Sequence, residues 1–386
     1  MNQVWQTTTH RAAPVSARWL EHLVRLDWFL LGCVALIVAL GTAFIASAGG
    51  SGASIGWGLL LRHCAYVALG LAAFAAVQRV DYLVLLRWSP VLYVVLLGLL
   101  VAVLFTRPIN GARSWFNLYV VNLQPSELMK PVLVLAVAHY LMYRESYKRL
   151  SGLLIPLGLF LVPMALILRQ PDLGTAMVLV PIAFAMLYAA GAKKTDLALV
   201  NLAGIAGMVG MWYWVMKPYQ QRRILAWLDP EQYRHHEAWQ LLQSEIAIGS
   251  GGLWGTGWSS AHANAQRFLP EKHTDFIFAV IAEEGGFLMA GLLLLLFLLL
   301  ALAGLRIARR VREPAGRLIA VGVSVLIAGQ ALINAGVALG LLPTTGLTLP
   351  LVSYGGSSLI SSFLCLGLLA NVGAKQEVVL AGEDFR

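Results

Sequence analysis

"LPEKHTDFIFAVIAEEGG", Leu269–Gly286, decides how the whole chain is organised. A charged cluster (Glu271, Lys272, His273, Asp275) runs straight into an apolar helix, and two more carboxylates, Glu283 and Glu284, lie inside that helix. By helical geometry Glu283 sits roughly 12 Å deeper than Asp275 and about 80° round the axis, with Glu284 nearly opposite Asp275. If the helix crosses a membrane, each deep carboxylate needs a purpose, because even the milder scales assign about 2.5–3.5 kcal/mol to a central charge.

The remaining sequence says that it does cross one. Of 386 residues, 59% are hydrophobic and 12% are charged, about half the charge of an ordinary soluble domain. This is the composition of a polytopic membrane protein, so length does not count soluble domains. Cys33, Cys64 and Cys365 all fall in apolar segments without pairing or metal-ligand spacing and are expected to be small buried residues.

Ten segments are apolar and long enough to span: Trp28–Ala48, Trp57–Val77, Trp88–Phe105, Leu128–Tyr143, Leu153–Leu168, Thr175–Ala190, Leu197–Met216, Phe276–Gly304, Leu318–Leu341 and Pro350–Asn371. The first is too long for a signal-peptide core and is expected to stay as an anchor. The expected architecture is an all-α polytopic integral membrane protein. It has an N-terminal arm (residues 1–27), a ten-helix membrane domain (28–371) and a short tail (372–386).

Orientation follows from the basic residues. With the N-terminus inside, 17 of the 28 Lys and Arg fall in inner segments, and six of the other 11 lie in one long outer connection, which counts for little. Both termini are therefore expected in the cytoplasm. The net charge of +9 tracks the inner face crossing by crossing instead of forming a patch on a soluble surface, which argues against nucleic-acid binding.

The long connection, residues 217–274 between the seventh and eighth crossings, faces outward and is too long to lack a role. Within it, Glu237–Gly249 has helical apolar spacing, with Trp239, Leu242, Ile246 and Gly249 on one face, and is expected to lie on the membrane surface. The glycine-rich "GSGGLWGTGW" that follows has neither nucleotide-binding fingerprint. A flexible connector is the plain expectation, and a backbone nest for phosphate is the weaker one.

Polar residues gather toward the outside. Asp275 opens the eighth crossing at the water boundary, with Thr274 as its expected cap, and Glu283 below it implies a polar cavity. In "LQPSELMK", Ser126 is expected to cap the fourth helix, and Glu127 and Lys130 share a face and can pair. They form either a closed ion pair or part of a site for an anionic head group. In "RQPDLGT", Pro171 and Asp172 suit a turn into the sixth helix, with Arg169 as a phosphate contact. In "LPLVSYGGSS", Pro350 is expected to open the tenth helix and Gly355–Gly356 to break it. Ser353 lacks a nucleophile elbow and a paired histidine. In "NGARSWFNL", Arg113 suits bidentate anion binding and Trp115 and Phe116 the head-group boundary. His235, His236, His262 and His273 show no zinc-ligand spacing.

Taken in order, "NGARSWF", "QPSELMK", "QPDLGT", "IAIGSGGLWGTGW", "FLPEKHTDFIFAVIAEEGG" and "LPLVSYGGSS" resemble the SEDS family (shape, elongation, division and sporulation), over essentially Leu26 to Asn371. "LPEKHTDFIFAV" is more similar to the elongation branch than to the division branch. The resemblance implies a peptidoglycan glycosyltransferase of the bacterial inner membrane that polymerises lipid II, with Asp275 essential. It maps the family's glutamate and lysine onto Glu127 and Lys130. It implies as partners a class B penicillin-binding transpeptidase with MreC, MreD and RodZ. Ser114 and Glu245 depart from the family pattern, which often carries arginine and lysine there.

The chemistry expected is an inverting transfer with Asp275 as general base, which needs no covalent intermediate. Arg113, Lys130 and Arg222 or Arg223 would offset the leaving pyrophosphate. Glu127, Glu283, Asp172 and Ser353 would line the substrate site. A divalent cation, magnesium or manganese, is an added candidate, although no ligand cage is visible. Two other classes fit some of the same residues: a lipid II flippase, and a scaffold for cell-wall proteins.

Overall fold

The structure, a computed structural model, describes residues 26–49, 53–107, 113–117, 122–142, 149–214, 216–234, 238–258, 269 and 272–375. Nearly all of the N-terminal arm, most of the tail, and Glu271, His235, His236 and His262 lie outside the described residues.

A helix stands at each of the ten expected positions. They are α1 (Trp28–Ala48), α2 (Ala53–Arg79), α3 (Tyr82–Ala102), α4 (Pro125–Met142), α5 (Leu154–Arg169), α6 (Leu173–Ala190), α7 (Lys194–Trp214), α10 (Ile277–Arg310), α11 (Pro314–Ala338) and α12 (Gly356–Ala374). The connection between α7 and α10 adds α8 (Pro218–Leu228) and α9 (Trp239–Gly251). Between α3 and α4, a two-stranded hairpin pairs β1 (Phe116–Asn117) antiparallel to β2 (Asn122–Leu123), with Phe116 opposite Leu123. Among the described residues, nine helices are long and apolar enough to cross a membrane. The exception is α4, whose outer end carries the charged Glu127 and Lys130 and which is buried along most of its length. Protein surrounds it, so it does not need the apolar surface of a lipid-facing helix.

Helices α4, α11 and α12 form the centre, and α10, α6 and α2 pack around them. Small residues set these approaches, as expected where lipid supplies no hydrophobic drive between helices. A Cβ at Gly367 of α12 would lie 3.2–3.3 Å from Val77 and Phe74 of α2. Helix α7 is the outlier, with Leu197 its one buried residue.

Helix α10 is broken. Gly286 has φ +69, a left-handed conformation, and divides the stretch that starts at Ile277 from the one that ends at Arg310. Unpaired backbone groups at such depth are costly, so irregular backbone must be packed in protein or line a cavity. Here the glycine-rich segment after α9 stitches the break. Thr256 N and Gly257 N donate to the carbonyls of Glu283 (2.9 Å) and Glu284 (3.2 Å). Phe287 N and Leu288 N donate to the carbonyls of Gly252 (2.8 Å) and Leu253 (3.3 Å). The segment is therefore neither a flexible connector nor a phosphate nest. Its glycines allow two backbones to touch: a Cβ on Gly251 or Gly255 would collide with the carbonyl of Ala282 or Glu284.

Several local expectations are corrected. The protein-facing side of α9 is Leu241, Ser244, Ala247 and Gly251, packed on α10 and α11. Trp239 and Ile246 face outward, at 37% and 51% exposure. The apolar stripe thus faces away from the protein, and small residues make the close packing. Pro350 does not open α12, which starts at Gly356 with Gly355 as its N-cap residue, so the two glycines begin the helix and do not break it. Neither Thr274 nor Ser126 caps a helix: α10 begins at Ile277 without a side-chain cap, and Ser126 lies within α4. Cys33 and Cys365 are buried, but Cys64 is exposed.

Gly286→Ala should test the stitched break. It forces a Cβ against Gly255 N and Leu253 O in a conformation that costs about 1–3 kcal/mol for other residues. The detergent-solubilised protein should melt lower, whereas Gly291→Ala, with open space around it on the same helix, should melt like wild type.

Candidate functional site

Asp275 lies in the turn leading into α10 and is half-buried. Three successive carbonyls of that turn are each held by a donor from elsewhere. Tyr354 N donates to His273 O (2.8 Å). Ser353 Oγ donates to Thr274 O (2.5 Å). Asn334 Nδ2 donates to Asp275 O (2.8 Å) and also to Leu347 O (2.6 Å). Asp275 Oδ2 lies 3.6 Å from where a Cβ on Gly346 would stand. Ser353 also accepts from Leu349 N (2.7 Å), so its hydroxyl ties two segments together.

A buried charge pair lies behind this frame. Lys130 Nζ is 2.6 Å from Glu127 Oε2, and both side chains are almost wholly buried. The ammonium also donates to Gln330 Oε1 (2.9 Å), and Gln330 Nε2 donates to Thr348 O (3.0 Å). Gln330 and Asn334 are four residues apart on α11 and so share a face. One helix face thus reaches both Lys130 and the backbone of Asp275. Sequence reasoning passed over these two amides. Their signal is a pair of polar residues at helical spacing inside an apolar span.

Glu283 and Glu284 are buried at the break in α10, where Ser250 Oγ donates to Glu283 Oε1 (3.2 Å) and Ser47 Oγ to Glu284 Oε1 (2.6 Å). Burial holds the Lys272 ammonium below its ordinary range, opposed in part by Glu284. Asp172 caps α6 through Thr175 N (3.0 Å) and accepts from Gln124 Nε2 (2.9 Å) and Ser126 Oγ (3.2 Å).

Over residues 21–378 the chain matches the family described as cell cycle protein, FtsW/RodA/SpoVE. It belongs to that family. Stage V sporulation protein E of Bacillus subtilis is 38% identical over 81% of this chain and 86% of the relative. Peptidoglycan glycosyltransferase MrdB of Escherichia coli K12 is 35% identical over 83% of this chain and 87% of the relative. Among solved structures, one chain of a peptidoglycan synthase complex, described as coordinating polymerization and crosslinking, is 36% identical. Its TM-score is 0.78, covering 91% of this chain and 98% of that one. The rod shape determining protein RodA of Thermus thermophilus is 33% identical with a TM-score of 0.68, covering 92% and 98%.

Within this FtsW/RodA/SpoVE fold the expected site residues separate into two groups. Asp275, Ser353, Glu127 and Lys130 are joined through α11, and Asp172 is joined to Ser126, next to Glu127. Arg113 lies elsewhere, on a lateral groove, and donates to Leu104 O (3.1 Å). Arg222 is exposed and Arg223 half-buried on α8. Lys130 is sealed at 1% exposure, so its charge reaches the Asp275 segment only through Gln330. Glu245 lies against Gly340, just past the end of α11, and burial raises its carboxyl. Among the described residues, no three His, Cys, Asp or Glu side chains are grouped to hold a metal. A magnesium or manganese ion there would take most of its ligands from substrate and water.

The buried pair predicts a non-additive result. Lys130→Met leaves Glu127 buried and uncompensated, at a cost of about 3–5 kcal/mol. Adding Glu127→Gln should recover much of the lost melting temperature. A double variant no more stable than the single one would rule out the pair as the source.

Proposed function

We propose that this chain is a peptidoglycan glycosyltransferase that polymerises lipid II outside the cytoplasmic membrane, with Asp275 as general base. The carrying observation is the frame around Asp275: the carbonyls of His273, Thr274 and Asp275 are held by Tyr354, Ser353 and Asn334, which fixes where the carboxylate stands beside Gly346. The name borne by MrdB supports the reaction class. An incoming sugar would lose its 4-hydroxyl proton to Asp275. That oxygen would attack the anomeric carbon of the growing strand, and polyprenyl diphosphate would leave from the opposite face. One base suffices for such an inversion.

In this reading the ten helices all cross the membrane, both termini are cytoplasmic, and α8 and α9 lie in the outer connection. The elongation branch is supported by residues 269–280 and by the likeness to RodA. The likeness to a synthase complex described as coordinating polymerization and crosslinking supports a class B penicillin-binding protein as partner. MreC, MreD and RodZ follow from the elongation assignment.

The decisive experiment is lipid II polymerisation by purified Asp275→Asn and Asp275→Ala proteins. Loss of the base should lower the rate at least about 100-fold. Both variants keep the bonds to the carbonyls of residues 273–275, and their melting temperatures check that the fold persists. Near-normal glycan from either would remove Asp275 from the mechanism. Transfer of labelled lipid II across liposomes without polymer would favour a flippase, and neither activity would favour a scaffold.

A further inference from the structure

A groove of about 1040 Å³ opens sideways between the outer ends of α3, α5 and α7 and the start of α8. Among the described residues three cations line it: Arg113 from the segment before β1, Arg169 at the end of α5, and Lys217 just before α8. No acidic side chain among the described residues lines it. Asp172, close to Arg169 in sequence, turns its carboxylate away to Gln124, Ser126 and Thr175. Among the described residues none of the three cations has a carboxylate partner. Arg113 donates one N–H to Leu104 O, and a guanidinium has five.

Apart from Gln220, the other side chains that line it are apolar, including Leu168, Leu173, Met211 and Trp214. A second furrow of about 780 Å³ runs on between α3 and α5, sharing Ala165 and Arg169 with the first and lined otherwise by residues such as Val94, Val101 and Leu166. Arg169 therefore stands where a cationic head site meets an apolar track. The outer wall is α7, which buries almost nothing against its neighbours, so the groove is open to the bilayer. Its chemistry suits an anionic head on a long hydrocarbon chain.

The groove also has a defined relation to Asp275. Leu173 lines it, and the Cβ position of Gly174, the next residue, lies 2.9 Å from Thr345 O and 3.0 Å from Leu347 Cβ. On that same segment Gly346 meets the carboxylate of Asp275. The groove lining and the carboxylate thus both adjoin the segment 345–347. An inverting transfer needs the base beside the attacking oxygen and the leaving group on the far side of the reacting carbon.

We propose that this groove holds the diphosphate of the polyprenyl-linked donor strand, with the polyprenyl chain in the α3–α5 furrow. In the transfer, the O–H bond of the acceptor breaks with its proton going to Asp275. The new C–O bond forms at the anomeric carbon, and the bond to the diphosphate breaks with its electron pair leaving on the diphosphate oxygen. Arg113, Arg169 and Lys217 offset the charge that develops there. A diphosphate matches three cations better than a phospholipid head bearing a single negative charge.

The assignment of the donor strand rests on the glycosyltransferase reading, but the site is testable by binding alone. Titrating farnesyl diphosphate into the full-length protein in phosphatidylcholine nanodiscs should give saturable binding, much weaker for farnesol. Arg169→Ala and Lys217→Ala should each weaken it about tenfold. Gly207→Trp should abolish it, since Gly207 lines the groove and a Cβ there meets nothing within 4 Å. Met208→Trp, at an exposed position on α7 outside the groove lining, should bind normally and controls for folding. Asp275→Asn should also bind normally. Unchanged affinity in Arg169→Ala and Gly207→Trp would overturn the proposal, as would full displacement by phosphatidylglycerol. If Asp275→Asn still polymerises while the groove variants lose binding, the base assignment falls and the groove stands.

Discussion

Hydrocarbon offers no hydrogen-bond partner, so a chain that breaks a helix inside the membrane must bring its own. This protein meets that constraint at Gly286 with four backbone bonds from the glycine-rich segment that follows α9. Much else depends on this repair. It fixes the first stretch of α10, at whose head Asp275 stands. It anchors α9 against α10 and α11. It also keeps Glu283 and Glu284, at the break, within reach of Ser250 and Ser47.

The frame around Asp275 follows the same logic. Its rigidity comes from carbonyl oxygens held by Tyr354, Ser353 and Asn334. Charge enters one step back, where Lys130 is satisfied by Glu127 and Gln330. A buried ion pair is weak evidence for stability, because desolvation opposes the attraction. What this pair supplies is position: it fixes Gln330, and Gln330 fixes the segment that faces the carboxylate.

Much of this was legible in the residues. The ten helices could be placed because a membrane span needs about 20 apolar residues and little else mimics that signal. The Glu127–Lys130 pair could be foreseen from its three-residue spacing. Other features were hidden for physical reasons. The buried face of α9 carries the small residues Ser244, Ala247 and Gly251, which a count of large apolar residues does not single out. The role of "GSGGLWGTGW" depends on backbone bonds to a partner some 30 residues away in sequence, which no local motif encodes. Gln330 and Asn334 escaped notice because a lone amide in an apolar run looks incidental until the tertiary fold gives it two carbonyls. Arg113, Arg169 and Lys217 come from three separate stretches, and only the packing of α3, α5 and α7 makes them neighbours.

One peripheral feature ties the molecule to its surroundings. A helix that buries a single residue against its own protein has almost no packing energy opposing its displacement. Surrounding acyl chains then set its tilt, and tilt adjusts to hydrophobic thickness. The width of the opening beside α7 is therefore a joint property of the polypeptide and its host bilayer, and membranes of different thickness should hold the same sequence at different apertures.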